Sequence, residues 1–484
     1  MSNTLMISVS GMRGLVGADL TPELIARHAA ALGAWARAAG RPLVVLGRDA
    51  RTSGPMFARA AAAGLLSVGC DVVDLGVVPT PTAQLAVEYH HAGAGLIITA
   101  SHNPVEWNAL KFVGPDGIFL DAAAGAAVRA LAQTDGGPPR AGWDGVGGVR
   151  EDPEAIARHL DLVLALPAVD LQAIRRRRFH VALDCVRGAG GAIIPELLAN
   201  LGCLISAINL ETDGRFPHEP EPIPENLGAL GDLVRSSGAE IGMAVDPDVD
   251  RLALVDELGE PIGEDYTLAF AVRAVLAGAH RRTGGQADGL DEARSRSSLG
   301  PFDLPSPDRP SAIPPVVVAN LSTSLVVEDA AREVGARFLR APVGEANVAR
   351  MIREEGALIG GEGNGGVILP SLHIGRDAPL GVALILQHLV AAGRSVSALV
   401  AAAPRYVIVK AKAKRGSDLV AAYAALKARF SDATPDERDG LRLAWRHKWV
   451  HLRPSGTEPV LRLIAEAPSR AEAEDLLAAC RAQL

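Results

Sequence analysis

The sequence predicts an α/β protein: three related α/β domains with mixed sheets, followed by a smaller α+β domain at the C-terminus. Three observations carry this prediction. Strand-like and helix-like patterns alternate along most of the chain, the rhythm of βαβ units whose helices cover a sheet. At 484 residues the chain is too long for one core, and length alone points to roughly three or four domains. The last ~80 residues change character, with two helices among several strands.

In chain order, Thr21-Pro22-Glu23-Leu24 is a helix start, with threonine as the cap and proline at the first helical position. The Ala-rich stretch to Gly40 continues that helix, and Leu43-Val44-Val45-Leu46 reads as the next strand. A second helix and the strand Asp71-Val72-Val73-Asp74-Leu75 follow. Gly95-Leu96-Ile97-Ile98 is a short buried strand that delivers Thr99-Ala100-Ser101-His102-Asn103-Pro104 into a loop. The Gly/Pro-rich residues 136–152 read as a linker.

A second rhythm starts at Phe179-His180-Val181-Ala182-Leu183-Asp184, just after Arg175-Arg176-Arg177-Arg178. Four arginines there read as a solvated helix end rather than a nucleic-acid contact, since cations favour helix C-termini. Arg187-Gly188-Ala189-Gly190-Gly191 raises a dinucleotide site, but the fingerprint's third glycine would fall at Ile193, so the signal is weak. A third rhythm runs from Gly263 to Val400 and is interrupted at residues 278–314, read as a mobile surface insertion. The strand Pro315-Val316-Val317-Val318-Ala319 resumes the fold. In the tail, helices at 418–430 and 469–484 accompany strands at 406–411, 449–452 and 461–465. The predicted domains are therefore 1–152, 153–258, 259–400 and 401–484.

Composition narrows the function classes. Aromatics are only 4% of residues, too few for stacking platforms on single-stranded nucleic acid, and a net charge of -8 argues against a duplex-binding face. The N-terminus lacks a cationic flank and a long apolar core, and no apolar run reaches the ~20 residues needed to cross a bilayer. Cys70, Cys185, Cys203 and Cys480 are scattered without metal-type spacing and read as buried free thiols. A cytoplasmic protein is expected, with partners that include neither nucleic acid nor membrane.

Four strings carry chemistry. In Ser101-His102-Asn103 the loop presents a hydroxyl, an imidazole and an amide; a turn stitched by its own side chains is the alternative. In Val245-Asp246-Pro247-Asp248-Val249-Asp250-Arg251, extended backbone would point the three carboxylates the same way, and a hard divalent cation would resolve their repulsion. An EF-hand is excluded, because the loop's sixth position needs glycine and holds Arg251. In Gly361-Glu362-Gly363-Asn364-Gly365-Gly366, Glu362 and Asn364 offer acceptor and donor groups suited to adjacent sugar hydroxyls, with a plain Gly-rich hairpin as the alternative. In Arg453-Pro454-Ser455-Gly456-Thr457-Glu458-Pro459, one guanidinium, two hydroxyls and the backbone freed by Gly456 form a phosphate cradle.

Together, and in this order, the four strings resemble the α-D-phosphohexomutases, the family of phosphoglucomutase, phosphomannomutase and phosphoglucosamine mutase. The resemblance spans nearly the whole chain and implies four domains around a central cleft, one loop from each. It implies that Ser101 carries a phosphoryl group, passes it to a hexose phosphate and receives the other phosphate of the sugar 1,6-bisphosphate, which also serves as activator. Asp246, Asp248 and Asp250, with an oxygen of phosphorylated Ser101, would hold Mg²⁺. His102 and Lys111 would orient Ser101 or move its proton, Arg251 would steady the loop or the substrate, and Arg13, in Ser10-Gly11-Met12-Arg13-Gly14, would line the cleft. Arg453, Ser455, Gly456 and Thr457 would grip the phosphate that is not being transferred.

The sequence also departs from the family pattern. The family's sugar loop commonly ends Glu-x-Ser-Gly-His, whereas Asn364 and Gly366 stand here for the serine and histidine. His373 or Arg376 is the candidate replacement for the lost acid/base group. The Glu-Gly-Asn-Gly-Gly variant looks most like the archaeal-type phosphoglucosamine mutase branch. The expected reaction is therefore interconversion of hexose 6- and 1-phosphates, glucosamine phosphate first and mannose or glucose phosphate as the alternative, by a monomer or homodimer. Two rivals from other classes are a Mg²⁺-dependent phosphomonoesterase and a catalytically silent sugar-phosphate sensor. The separate cradle at Arg453 argues against the first, and the intact Ser101 and aspartates against the second.

Overall fold

Thr21 caps its helix as the sequence dictates: its hydroxyl accepts from the Leu24 N–H, and Pro22 opens Pro22–Ala38. The same local logic recurs along the computed structural model, which describes residues 5–8, 11–284, 314–414, 418–454 and 460–484. Four sheets result, one per segment. The first has seven strands in the order Met6–Ser8, Gly11–Leu15, Trp107–Val113, Ala94–Ile98, Leu43–Arg48, Asp71–Val77 and Val149–Glu151. Its centre is parallel, while Trp107–Val113 runs antiparallel to both of its neighbours.

The second and third sheets have four strands each, mixed in the same sense: a parallel core closed by one antiparallel edge strand. The fourth sheet is antiparallel throughout, with five strands and the helices Leu419–Arg429 and Arg470–Arg481. Three α/β units with mixed sheets and a smaller α+β unit are thus the observed architecture.

The hydrophobic cores divide differently from the sheets. The first unit has its own core around Leu32, Phe57 and Leu96, and the fourth one around Leu443, Leu463 and Leu477. The second and third units share the largest core, which runs from Leu160 through Leu183 and Phe270 to Leu386, and smaller clusters lie on the other faces of the first three sheets. Helix Ala378–Ala392 explains this sharing. It is apolar apart from the buried Gln387 and His388, is buried nearly along its length, and packs against Ala155–Leu164, Leu171–Arg177 and Asp265–Gly284. No single described helix is long and apolar enough to cross a membrane.

Three expectations change. The stretch read as a linker carries the strand Val149–Glu151, which pairs with Asp71–Val77 at the edge of the first sheet. Helix Asp265–Gly284 runs seven residues into the stretch read as an insertion, whose residues 285–313 lie outside the described residues. The glycines after Arg187 serve packing: a Cβ on Gly188 would lie 2.6 Å from Pro247 Cα, and Ala189 N–H donates to Pro247 O at 2.8 Å. They bring one loop of the second unit against its aspartate turn, and Arg187 itself pairs with Asp213.

Candidate active site

Ser101 follows the strand Ala94–Ile98 and sits at φ +50°, in the left-handed region that serine adopts at a cost of about 1–3 kcal/mol. A fully buried arginine holds it there. Arg51 donates to the carbonyls of Ser101 at 2.7 Å, Asn103 at 2.6 Å, Pro104 at 2.7 Å and Trp107 at 2.9 Å. Its Nε meets Asp49 Oδ2 at 3.1 Å, and the same oxygen accepts from Thr99 Oγ1, which in turn accepts from Ser101 N–H. Arg51 therefore laces the serine loop from beneath.

The three aspartates converge, but not through extended backbone. Strand Ile241–Val245 ends in a tight turn with Val249 at φ +63°, and Leu252–Val255 returns antiparallel. Asp246 Oδ1 accepts the N–H groups of Asp250 and Arg251, both at 3.1 Å, and so closes the turn on itself. One carboxylate oxygen from each aspartate falls within 4.8 Å of the others. Oδ1 of Asp248 and of Asp250 is buried without a hydrogen-bond partner. A hard oxygen donor set with two orphaned oxygens fits Mg²⁺.

This cluster crosses between units. Ser101 Oγ donates to Asp246 Oδ2 at 2.9 Å. Asp248 Oδ2 accepts from Thr80 Oγ1 and from Lys111 Nζ, each at 2.7 Å, and Lys111 lies 3.7 Å from Asp250. From the third unit, Arg376 reaches Asp250 at 2.6 Å, Glu362 at 2.8 Å and Glu345 at 3.1 Å. Arg251 lies 3.3 Å from Glu221 and 3.7 Å from Asp250.

The charges follow from this geometry. Burial, with Asp250 and Asp248 close by, pushes the Asp246 carboxyl well above the usual carboxylate range. Burial alone would raise Asp248 too, but Lys111 and Thr80 hold it down. Burial works against the Lys111 charge, yet Asp248 and Asp250 outweigh it and keep the ammonium. His102 is pushed down to about 2 by burial and by Arg251 and Arg13. Its imidazole is therefore neutral: Nδ1 stands 3.3 Å from Ser101 Oγ, and its 3.7 Å approach to Glu221 is not an ion pair.

A cavity of about 350 Å³ opens over Ser101, bordered by His102, Lys111, Arg13, Arg251 and Arg376. Arg13 also donates to Asn103 Oδ1 at 2.7 Å. Glu362 and Asn364 do not border it. Glu362 closes a hairpin opposite Gly366 and accepts from Arg376, Asn320 and Gly344, while Asn364 Oδ1 accepts from Gly366 N–H. Arg453 lies on the fourth sheet, 3.2 Å from Asp439, which in turn accepts from Val343 N–H beside the cavity. Ser455, Gly456 and Thr457 lie outside the described residues.

The chain matches, in order, four models of phosphoglucomutase/phosphomannomutase domains: the α/β/α domains I, II and III at residues 5–136, 157–259 and 308–406, and the C-terminal domain at 406–483. The chain belongs to this family. It is 36% identical over 472 residues to a phosphoglucomutase/phosphomannomutase of Thermococcus kodakarensis, covering 96% of this chain and 95% of that one. It is equally 36% identical, over 471 residues and the same shares, to a probable phosphoglucosamine mutase of Methanopyrus kandleri. The X-ray structure of a phosphoglucomutase/phosphomannomutase family protein from Burkholderia thailandensis superposes with a TM-score of 0.81 at 26% identity, covering 99% of this chain and 98% of that one.

Neither His373 nor Arg376, the residues expected to replace the histidine absent from the 361–366 loop, is placed for acid/base work. His373 is buried and points Nε2 at Asp377 Oδ2, 3.0 Å away, an oxygen that also meets His159 at 2.8 Å; it does not border the cavity. Arg376 does border the cavity, but a guanidinium among three carboxylates has no proton to give. It ties the aspartate turn to the Glu362 hairpin instead.

Residues that the sequence did not single out also build this cluster: Arg51, Asp49, Thr80, Glu221 and Glu345. Only Asp49 and Arg51 left a local trace, as an Asp-x-Arg at a strand end. The others come from segments whose strings are unremarkable.

Proposed function

We propose that this chain interconverts hexose 6-phosphate and hexose 1-phosphate through a phosphoryl group carried on Ser101 and a sugar 1,6-bisphosphate. The observation that carries the reading is the contact of Ser101 Oγ with Asp246 at the mouth of a carboxylate set with two unpartnered oxygens. Asp246, Asp248 and Asp250 would hold Mg²⁺ there, which when bound supplies neutralisation of the charge on the transferring phosphoryl group.

The chain's own residues do the rest. Neutral His102 sets its Nδ1 3.3 Å from Ser101 Oγ, whose one hydrogen goes to Asp246, and helps orient the hydroxyl. Lys111, Arg13 and Arg251 present fixed positive charge to phosphate oxygens. Arg376 holds Asp250 and Glu362 in one register, so that the sugar loop and the transfer site keep a fixed spacing. Arg453, with Ser455, Gly456 and Thr457, would grip the second phosphate. Glucosamine phosphate is the favoured sugar, supported by the probable phosphoglucosamine mutase among the relatives. A relative of equal identity named phosphoglucomutase/phosphomannomutase supports glucose and mannose phosphates as the second reading.

The test is an isomerisation assay with Mg²⁺, a trace of hexose 1,6-bisphosphate and glucosamine, glucose and mannose phosphates in turn. Transfer between positions 1 and 6 that S101A abolishes is expected. Net phosphate release in place of transfer would overturn the mutase reading, and full activity of S101A would overturn the role of Ser101.

A further inference from the structure

A second groove, of about 500 Å³, runs between the third α/β unit and the C-terminal unit, and none of its lining residues borders the serine cavity. Four arginines line it: Arg332 and Arg340 from the third unit, Arg442 and Arg446 from the fourth. The acidic groups nearby are already committed. Glu328 takes Arg340 at 2.8 Å on one oxygen and Arg332 at 2.5 Å on the other, and Asp432 accepts from the Trp445 indole N–H at 2.8 Å.

Arg442 is the anomaly. It is 5% exposed, lies 5.2 Å from the Trp449 ring, and its buried Nε has no hydrogen-bond partner. No ion pair reaches it among the described residues. Its cross-strand neighbour His451 is taken up by Ser322 and by Asp439 O. Arg446, on the same rim, is exposed and also lacks an ion pair among the described residues.

A guanidinium keeps its charge at any working pH, and Arg442 makes no ion pair of its own, since the nearby Glu328, Glu466 and Asp436 are each bonded elsewhere. Such a buried charge is rare in native proteins unless something arrives to meet it. The uncommitted guanidinium donors are those of Arg442 and Arg446 on the C-terminal wall; opposite them Arg332 and Arg340 share one Glu328 and leave that wall net positive, and a tetrahedral oxyanion accepts from several directions at once. We propose that this groove is a second anion site, built for a phosphate dianion: inorganic phosphate or the phosphate of a monoester.

Because its walls come from two units, a bound dianion would tie the C-terminal unit to the third. The tie sits on the strand next to Trp449–Pro454, which carries Arg453. The inference does not rest on the mutase reading.

Tryptophan fluorescence of the full-length protein, titrated with inorganic phosphate and separately with glycerol phosphate, tests it, since Trp445 and Trp449 flank the groove. A saturable change is expected, weakened at least about tenfold in R442M and weakened also in R446A, whose exposed position leaves folding intact. Tighter binding of glycerol phosphate would identify a phosphorylated metabolite as the occupant, and equal binding would identify free phosphate. An identical titration of wild type, R442M and R446A, or the absence of any saturable change in wild type, would overturn the proposal.

Discussion

Replacing Arg51 with methionine removes the residue that laces the serine loop and leaves its stem largely in place. The substitution deprives four carbonyls of their donor and strands Asp49 as a buried, unpaired carboxylate. Breaking a buried pair in this way costs about 3–5 kcal/mol, a large share of the ~5–15 kcal/mol that a domain of this kind has in hand. The direction with pH follows from Asp49. Burial raises its pKa, with Arg51 and Thr99 opposing, so loss of Arg51 raises it further. A raised folded-state pKa gives stability that is present at low pH and lost as pH rises through it. The deficit of R51M is therefore smaller at about pH 5 than at about pH 8. Urea unfolding of wild type, R51M, D49N and the double variant at both pH values measures this. The double variant should recover about 1–3 kcal/mol relative to simple additivity. Phosphoryl transfer by R51M should fall by at least about a hundredfold, because a serine held in left-handed backbone loses its anchor. Additive effects of R51M and D49N, together with turnover within twofold of wild type, would refute the reasoning.

Three further substitutions probe other parts of the argument. Asp265 is pushed up to about 8 by burial, with Glu466 and Glu264 adding to the rise and the Ser324 N–H and Lys410 opposing it. Wild type should therefore lose about 2–3 kcal/mol more than D265N between roughly pH 6 and pH 9, and parallel stability profiles would contradict this. H373A should destabilise by about 2–4 kcal/mol through the lost Asp377 contact and the cavity it leaves, with kcat within about threefold. A hundredfold fall in kcat at unchanged stability would instead restore His373 as an acid/base group. G188A forces a Cβ into the backbone of Pro247 and should cost about 1–3 kcal/mol and raise the Mg²⁺ needed for half-maximal activity; an unchanged Mg²⁺ requirement would separate that loop from the aspartate turn.

What the sequence made legible were contiguous strings. The serine loop, the aspartate turn, the Glu362 hairpin and the Arg453 strand end each bundle unusual residues within a few positions, and local chemistry suffices to single them out. The lacing around them was not legible, because it joins residues far apart: Arg51 to Trp107, Thr80 to Asp248, Glu345 to Arg376. Asp248 drew attention through Asp246 and Asp250; Thr80 had no such neighbours. The aspartates were located correctly through an inaccurate picture, since alternation in a strand and a tight turn with one left-handed residue both bring positions 246, 248 and 250 together. The strand Leu441–Ala444 alternates apolar and polar residues, but it is too short to stand out beside its longer neighbours.

Counting by sheets gives four units, but the largest core does not respect that count, because helix Ala378–Ala392 fuses the second unit to the third. The seam near residue 259, where one family domain ends, is thus a seam in the chain and not in the packing. A protease or a gene truncation acting there would expose the faces of Leu183, Phe270 and Leu386 together and leave two fragments unable to stand alone. A cut near residue 406 would instead separate bodies with separate interiors. Melting should accordingly proceed in up to three cooperative blocks, with the middle pair lost as one. The units that evolution could shuffle most readily are the outer two.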